Sequence, residues 1–270
     1  SVNVSELDTL RSDADVGGGV IFAEGAGTHV HVQNITVVTS RSMRGGVIAA
    51  SNGSRVVIVG ATNLAKDVTA DTYGGYAFAD FGATVEVTGL TLNGSFAGKS
   101  GGLVWAGGGS SMTISDSQAK RIRAGQFGGA FYVEGVTDTG TNAKKYRTRV
   151  HVESSQFDDL KAGYMGGGLY IAEGGAVTMR ENIFTELRLA CGDHFASESN
   201  TQTKTLGGGL NALAAAGSAI IGETDAALAA STGKDTMLLN PDWCAGAGAF
   251  LETESKLLGE NTDGPRSAPS

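Results

Sequence analysis

Gly74-Gly75-Tyr76-Ala77-Phe78-Ala79 decides the fold, because its pattern of paired glycines and a short apolar run recurs along the chain. The copies begin, in order, at Gly17, Gly45, Gly74, Gly101, Gly128, Gly166 and Gly207, with a degraded copy at Gly246. Counted from the last glycine of each copy, the spacings are 27, 29, 27, 27, 39, 41 and 39 residues. A period of this size is typical of a repeat architecture.

Each repeat contains strand-like runs and no segment long enough for a helix. The run after the glycines is short and rich in Val, Ile, Phe and Tyr, which is typical of a strand. A second run, such as Val85-Glu86-Val87-Thr88-Gly89, alternates apolar and polar residues and predicts a strand with one buried face. A third, weaker run occurs at residues 35–38 and 90–92. We therefore expect an all-β chain, a parallel β-helix (solenoid) of about eight turns.

The repeated Gly-Gly-[Ala/Val/Leu]-[Ile/Val/Phe/Tyr] unit resembles the repeats of right-handed parallel β-helix proteins of the pectin-lyase-like kind. It is most similar to the Gly-Gly-Ala-Ile repeats of the chlamydial polymorphic membrane protein group, which also carry a Phe-x-Asn-Asn motif. Asn182-Ile183-Phe184 and Gln156-Phe157-Asp158-Asp159 are distant echoes of that motif. The resemblance covers roughly residues 17–252 and implies the fold, but a fold does not by itself fix an activity.

The unbroken repeat predicts one elongated domain at residues 17–258. Residues 1–16 are polar and would form an N-terminal cap or an incomplete turn over the first rung, and residues 259–270 read as a linker or tail. We expect a processed product or a segment of a larger surface or filament protein. Insertions fall in the second half of the chain, so we expect binding loops there.

The net charge of −8 and the pI of about 5.0 argue against a nucleic-acid-binding protein, which would carry a basic stripe. The basic cluster Lys120-Arg121-Ile122-Arg123 is expected to lie at a solvated corner. There is no long apolar run, so we expect no membrane span in this segment. The acidic, glycine-rich composition favours an extracellular or cell-surface location.

Cys191 and Cys244 are the only cysteines, and each lies in an insertion. The two insertions would be neighbours one turn apart, so a disulfide is expected in an oxidising compartment, the alternative being two free or buried thiols. Cys191-Gly192-Asp193-His194 lacks a paired Cys-x-x-Cys, so we expect no zinc site and no cofactor.

Four Asn-x-Ser/Thr sequences are candidate glycosylation sites, at Asn3, Asn34, Asn52 and Asn93. Asparagine also suits the corners of a β-helix through its turn geometry. The two interpretations remain open at the level of the sequence.

The strand that follows the glycines has two largely apolar faces. One column of equivalent positions includes Ile21, Ile48 and Val104, and the next includes Phe22, Phe78, Trp105, Tyr132 and Ile171. Adjacent residues of a strand point to opposite faces, so one column fills the interior. The other column is either covered by the chain itself or is an exposed stripe. We predict that Phe22, Phe78, Trp105, Tyr132 and Ile171 bind a partner.

Enzymes on this scaffold need clustered carboxylates on adjacent turns. The best acid–base cluster is Asp158, Asp159, Glu186 and Arg188, which we interpret as solvated corner charges, and no catalytic residue is assigned. The function expected is a non-enzymatic extracellular structural or adhesive module that acts through protein–protein assembly with other subunits or with copies of itself. The alternative is a carbohydrate-active enzyme or a glycan-binding module. An ice-binding protein would need an outer column of Thr, and none repeats.

We predict a disulfide between Cys191 and Cys244, because the only two cysteines lie in neighbouring insertions. Non-reducing peptide mapping of protein from an oxidising compartment should recover the two linked peptides. Two thiols that react with an alkylating reagent in that native material would disprove the bond.

Overall fold

The computed structural model describes residues 1–135, 147–172 and 175–189, and the backbone of strands at 216–223, 249–251 and 255–260. The strands of the first three turns are β1 Val2–Val4, β2 Leu7–Thr9, β3 Ser12–Ala14, β4 Ile21–Glu24, β5 His29–Gln33, β6 Ile35–Val37, β7 Ser40–Arg44, β8 Ile48–Ser51, β9 Arg55–Val59, β10 Asn63–Tyr73 and β11 Ala77–Ala79. The next turns contain β12 Thr84–Thr88, β13 Leu90–Ala97, β14 Val104–Ala106, β15 Ser111–Ser115, β16 Gln118–Ala124, β17 Phe131–Glu134, β18 Arg149–Glu153, β19 Gln156–Ala162 and β20 Leu169–Ala172. The last strands are β21 Ala176–Arg180, β22 Ile183–Leu189, β23 Ala216–Glu223, β24 Ala249–Leu251 and β25 Ser255–Glu260.

All the paired strands are parallel, and like strands of successive turns form three sheets. We call them sheet A (β1, β5, β9, β12, β15, β18, β21, β23, β25), sheet B (β2, β3, β6, β7, β10, β13, β16, β19, β22) and sheet C (β4, β8, β11, β14, β17, β20, β24). Six complete turns are described, from β1–β4 to β18–β20, and β21–β25 belong to further turns. The predicted all-β parallel solenoid is therefore confirmed, with somewhat fewer turns described than the eight expected.

Each turn contributes one rung to a continuous apolar interior. In sheet A the alternation predicted from the sequence is present, with Val85 and Val87 buried and the residues between them facing outward. Val85 pairs with Val56 on one side and with Met112 on the other, so identical positions stack along the rod. Because one residue of slippage would turn the buried set outward, this pattern fixes the register.

The two glycines of each pair serve different physical needs. The first has a left-handed backbone, with φ of 64° at Gly74 and 67° at Gly101, which residues with a side chain rarely adopt. The second lies too close to the next turn for a side chain: a Cβ on Gly102 would sit 2.1 Å from the carbonyl oxygen of Gly129. The repeat therefore requires glycine at both positions.

A buried polar ladder occupies the corner between sheets A and B. The side chains of Asn63, Ser117, Ser155 and Asn182 each accept a hydrogen bond from a backbone N–H of the preceding turn, at 3.0–3.1 Å. Asn182 also donates to the carbonyl oxygen of Val152. The ladder satisfies backbone groups that would otherwise be buried without partners. It also gives Asn182, part of the echo of the Phe-x-Asn-Asn motif, a structural role.

The strand pairing shows how the two ends of the described chain are organised. Residues 1–16 contain β1, β2 and β3, which pair in parallel with β5, β6 and β7, so they contribute strands to the first turn. The C-terminal strand β25 extends to Glu260, two residues into the expected tail, and residues 261–270 lie outside the described part.

Replacing Gly102 with Ala should destabilise the protein by about 3 kcal/mol, because the added methyl group would overlap backbone atoms of Gly129 and of Arg123 in β16. Thermal unfolding followed by circular dichroism should show a decrease in Tm of roughly 6–12 °C. Gly27→Ala is the matched control, since its φ of 87° adds conformational strain while nothing lies within 4 Å of the new methyl group. No loss of stability in Gly102→Ala would show that close backbone approach is not what requires the second glycine.

Candidate functional site

Four aromatic rings stack on the outer face of sheet C, one from each of four successive turns. This aromatic stack consists of Phe78, Trp105, Tyr132 and Tyr170. The ring centroids are 4.6, 6.2 and 5.1 Å apart in order, and adjacent planes differ by 11° or less. The ring faces therefore contact one another along the rod, and only ring edges are directed away from the sheet.

Four of the five residues predicted to bind a partner share the outer column of sheet C and the fifth does not, while partner binding itself stays a prediction. Ile171 pairs with Val133 and lies in the interior, whereas Tyr170 pairs with Tyr132 and occupies the outer column. The error comes from the run of three glycines at residues 166–168. Gly166 and Gly128 share a φ of 61°, so the pair to be aligned is the first two glycines and not the last two.

Phe22 belongs to the same column but is separated from the aromatic stack. Ala49 takes the position between Phe22 and Phe78, and its methyl group does not bridge the gap between the rings. The side chain of Phe22 is 53% exposed, whereas Phe78 and Trp105 are only 5% and 8% exposed. Phe22, Phe78, Trp105 and Tyr132 therefore share one column, but they do not form one exposed surface.

A second column of residues covers one side of the aromatic stack. It contains the residues just before each glycine pair, and Tyr73, Ser100, Phe127 and Met165 pair in parallel as isolated bridges. We call it the flanking column. The ring of Tyr73 lies 5.6 Å from Trp105, and that of Phe127 lies 5.1 Å from Tyr170. Both faces of the sheet C strand are thus apolar, as predicted, and the chain itself covers much of the outer one.

Ser100 is the small residue in the flanking column, and although it is itself buried, it lies among the residues that line a groove between Tyr73 and Phe127. The groove has a volume of about 340 Å³. It is lined by Arg44, Tyr73, Phe78, Asp80, Ser100, Trp105, Gln126, Phe127, Tyr132 and Glu134. Carboxylate, guanidinium, amide and hydroxyl groups therefore surround the ring edges. A concave site with convergent polar groups and an apolar floor is the usual form of a binding site.

Two carboxylates form one rim of this groove. Asp80, Gly107 and Glu134 directly follow Ala79, Ala106 and Val133, which pair in register, so Asp80 and Glu134 lie two turns apart, about 9.6 Å along the rod. A Cβ on Gly107 would be 2.2 Å from Cη2 of Trp105, so the edge of the indole ring fills the place of the missing side chain. This acidic rim was not predicted from the sequence, although Asp80 and Glu134 share the position that follows the paired residues of sheet C.

Burial raises the pKa of the Asp80 carboxyl, which lies half-buried at the groove. Two interactions oppose that shift. The backbone N–H of Phe81 donates to Oδ1 of Asp80 at 2.8 Å, and the charge of Arg44 acts in the same direction. The guanidinium of Arg44 also lies 5.5 Å from the centroid of the Phe78 ring, which places a cation at the end of the aromatic stack.

The acid–base cluster proposed from the sequence is brought together on sheet B. Asp159 is bound by both Arg123 and Arg188, and Arg188 also pairs with Glu186 at 2.7 Å. The hydroxyl of Thr185 donates to Asp158. Arg123 was not among the expected members. Asp159, Glu186, Arg123 and Arg188 are thus joined by ion pairs, and none of these residues lines the groove.

The glycosylation candidates occupy corners or exposed strands. Asn3 and Asn52 are exposed, and Asn34 and Asn93 are half-buried. Asn34 and Asn52 have φ of 60° and 54°, in agreement with the turn-geometry interpretation. The amide of Asn52 donates to Glu24, and the oxygen of Asn93 accepts from Arg121. None of these contacts tests glycosylation, which stays a prediction.

Cys191 and Cys244 lie outside the described residues. In the described part of the chain, no three His, Cys, Asp or Glu side chains are grouped as a metal ion would require. Within the same residues no helix is long and apolar enough to cross a bilayer.

Comparisons with known proteins give no relative for this chain. No family model matches it, no curated protein matches it, and no solved structure matches it. The resemblance of its repeat to other β-helix repeats therefore rests on the sequence pattern alone.

Replacing Asp80 with Asn should increase stability at pH 7, because the folded protein there carries a partly buried charge that burial disfavours. A carboxyl with a raised folded-state pKa favours folding below its ordinary pKa of 3.8, and that contribution is lost as the pH rises through the folded-state pKa. Urea unfolding at pH 3 and pH 7 should therefore show a gain over wild type that is larger at pH 7. A gain that is equal at the two pH values would contradict the buried-charge interpretation.

Proposed function

We propose that the protein is a non-enzymatic, adhesive β-helix module that binds a segment of a glycan in the groove on sheet C. The observation that carries this proposal is the gap at Ser100, which opens a concave, polar-rimmed site over the edge of Trp105. Asp80 and Glu134 lie on the rim as hydrogen-bond acceptors for sugar hydroxyls. Arg44 and Gln126 supply donors. Such a mixture of groups over an apolar floor suits a polar ligand with apolar ring faces better than a flat protein surface.

The burial of the aromatic stack weakens the case for protein–protein assembly. That expectation drew on the aromatic column, whose exposure the sequence left open, and Phe78 and Trp105 are packed against their own neighbours. Phe22 remains exposed, but it stands apart from the groove. We retain an extracellular or cell-surface location as part of the proposal. It is supported by the acidic, glycine-rich composition and by the resemblance of the repeat to the chlamydial polymorphic membrane protein group.

A carbohydrate-active enzyme on the same scaffold is the second candidate. It is favoured by the two carboxylates of the acidic rim, since glycoside hydrolysis uses one carboxylic acid to protonate the leaving oxygen and another carboxylate on the opposite side of the bond. The raised pKa of Asp80 suits the first of these roles. Release of reducing ends from a bound glycan, lost in Asp80→Asn and Glu134→Gln, would decide for this candidate.

Filling the gap at Ser100 tests the binding proposal. Ser100→Phe continues the flanking column between Tyr73 and Phe127, so it should occupy the groove. On an array of neutral, amino and acidic glycans, the wild-type protein should bind at least one class, and the variant should lose tenfold or more in affinity, about 1.4 kcal/mol.

The matched control is Ser111→Phe, an exposed serine on the outer face of sheet A. It should bind like the wild type, and both variants should keep the β-rich circular dichroism spectrum. If the wild type binds no glycan on the array, or if Ser100→Phe binds as well as Ser111→Phe, the proposed function is wrong. If Ser100→Phe instead abolishes self-association in sedimentation experiments, the assembly expectation is supported.

A further inference from the structure

We propose that Phe81 is the stacking platform for a pyranose ring of the ligand, an inference that rests on the proposed glycan-binding function. Phe81 follows Asp80 directly, at the corner where the chain leaves sheet C for sheet A. Its side chain is 64% exposed, one of the most exposed large apolar side chains in the described part of the protein.

The backbone of Phe81 lies in a conformation that a bulky side chain disfavours. Its φ is 48°, and the matching corner positions of the preceding and following turns are Asn52, with φ 54°, and Gly108, with φ 56°. Asparagine and glycine are the residues that adopt this geometry at the lowest cost. Phe81 is therefore unfavourable at this position for two reasons: its backbone is strained, and its apolar side chain is exposed to water. A strained, exposed residue that directly follows a residue lining a groove, as Phe81 follows Asp80, is a candidate for function.

The corner of the following turn leaves Phe81 uncovered on that side. Residues 107–109 are all glycine. A Cβ on Gly108 would lie 2.1 Å from Oδ1 of Asp80 and 2.6 Å from the backbone nitrogen of Phe81. The absence of that side chain gives room to the carboxylate of the acidic rim and to the backbone of Phe81.

The groove itself has no ring face to offer to a sugar. The faces of Phe78 and Trp105 contact each other at an interplanar angle of 11°, so the groove presents ring edges. The C–H groups on the apolar side of a pyranose carry a slight positive charge and pack best against the electron-rich face of an aromatic ring. Phe81 is the exposed ring next to Asp80, and it supplies the surface that the aromatic stack lacks.

The variant Phe81→Asn separates binding from stability, because asparagine is the residue found at the matching corner of the preceding turn. We expect a three- to tenfold weaker affinity for the glycan that the array identifies. We also expect a Tm about 2 °C higher than that of the wild type, from relief of strain. If Phe81 had a purely structural role, its replacement would lower the stability of the protein. A weaker glycan affinity together with a higher Tm therefore identifies Phe81 as the platform.

Phe96→Asn is the matched control, an exposed phenylalanine on the outer face of sheet B in the following turn. It should leave glycan affinity unchanged. If Ser100→Phe abolishes binding but Phe81→Asn binds like the wild type, the glycan groove stands and the platform is overturned. If Phe81→Asn binds glycan normally but reduces self-association, Phe81 contacts a protein and the inference is equally overturned. If the wild type binds no glycan at all, the proposed function fails first.

Discussion

The close approach of backbone between successive turns, at the second glycine of the pairs, is the constraint on which the rest of the molecule depends. At Gly102 and Gly129 the backbone of the following turn lies where a side chain would begin. Turns can therefore stack in only one register at this corner. That register carries through the following strand, which aligns the aromatic rings of sheet C and, two residues later, the positions of the acidic rim. The groove is a consequence of that alignment.

The groove is formed where small residues interrupt columns whose other members have large side chains. Ser100 interrupts a column that has aromatic rings on either side, and Gly107 interrupts a column with carboxylates on either side. The indole ring of Trp105 extends into the space above Gly107. A solenoid repeats its scaffold, so a site arises where the repeat is broken at the surface and kept in the interior. This arrangement separates the residues that hold the rod together from those that give it a binding surface.

Most of the fold, and part of the candidate site, could be predicted from the sequence. The period of the repeat, the length of the apolar runs and the alternation of apolar and polar residues predicted the three strands per turn and the interior of sheet A. These features are visible in the sequence because a strand with one buried face has an apolar residue at every second position. The alignment of the repeats was wrong by one residue at residues 166–168. A third glycine there allows two alignments with the other glycine pairs, and only the backbone conformation distinguishes them. Coverage of Phe78 and Trp105 was left open, because it depends on Tyr73 and Phe127, which precede the glycines and fall outside the strand pattern. Asp80 and Glu134 were missed because their partners in the column are unlike them.

The corner beside the acidic rim has a further consequence for how such a rod can change over evolutionary time. Ser111 pairs with Arg149, 38 positions later, whereas Val104 pairs with Phe131, 27 positions later, so the chain gains 11 residues between Glu134 and Arg149. The entropy of closing a turn grows only with the logarithm of its length, so extending one turn from 27 to 38 residues costs about 0.3 kcal/mol. The paired strands before and after the extra residues keep their register. New loops can thus be added next to the groove at almost no thermodynamic penalty, which makes this corner a place where ligand preference can diversify while the core stays the same.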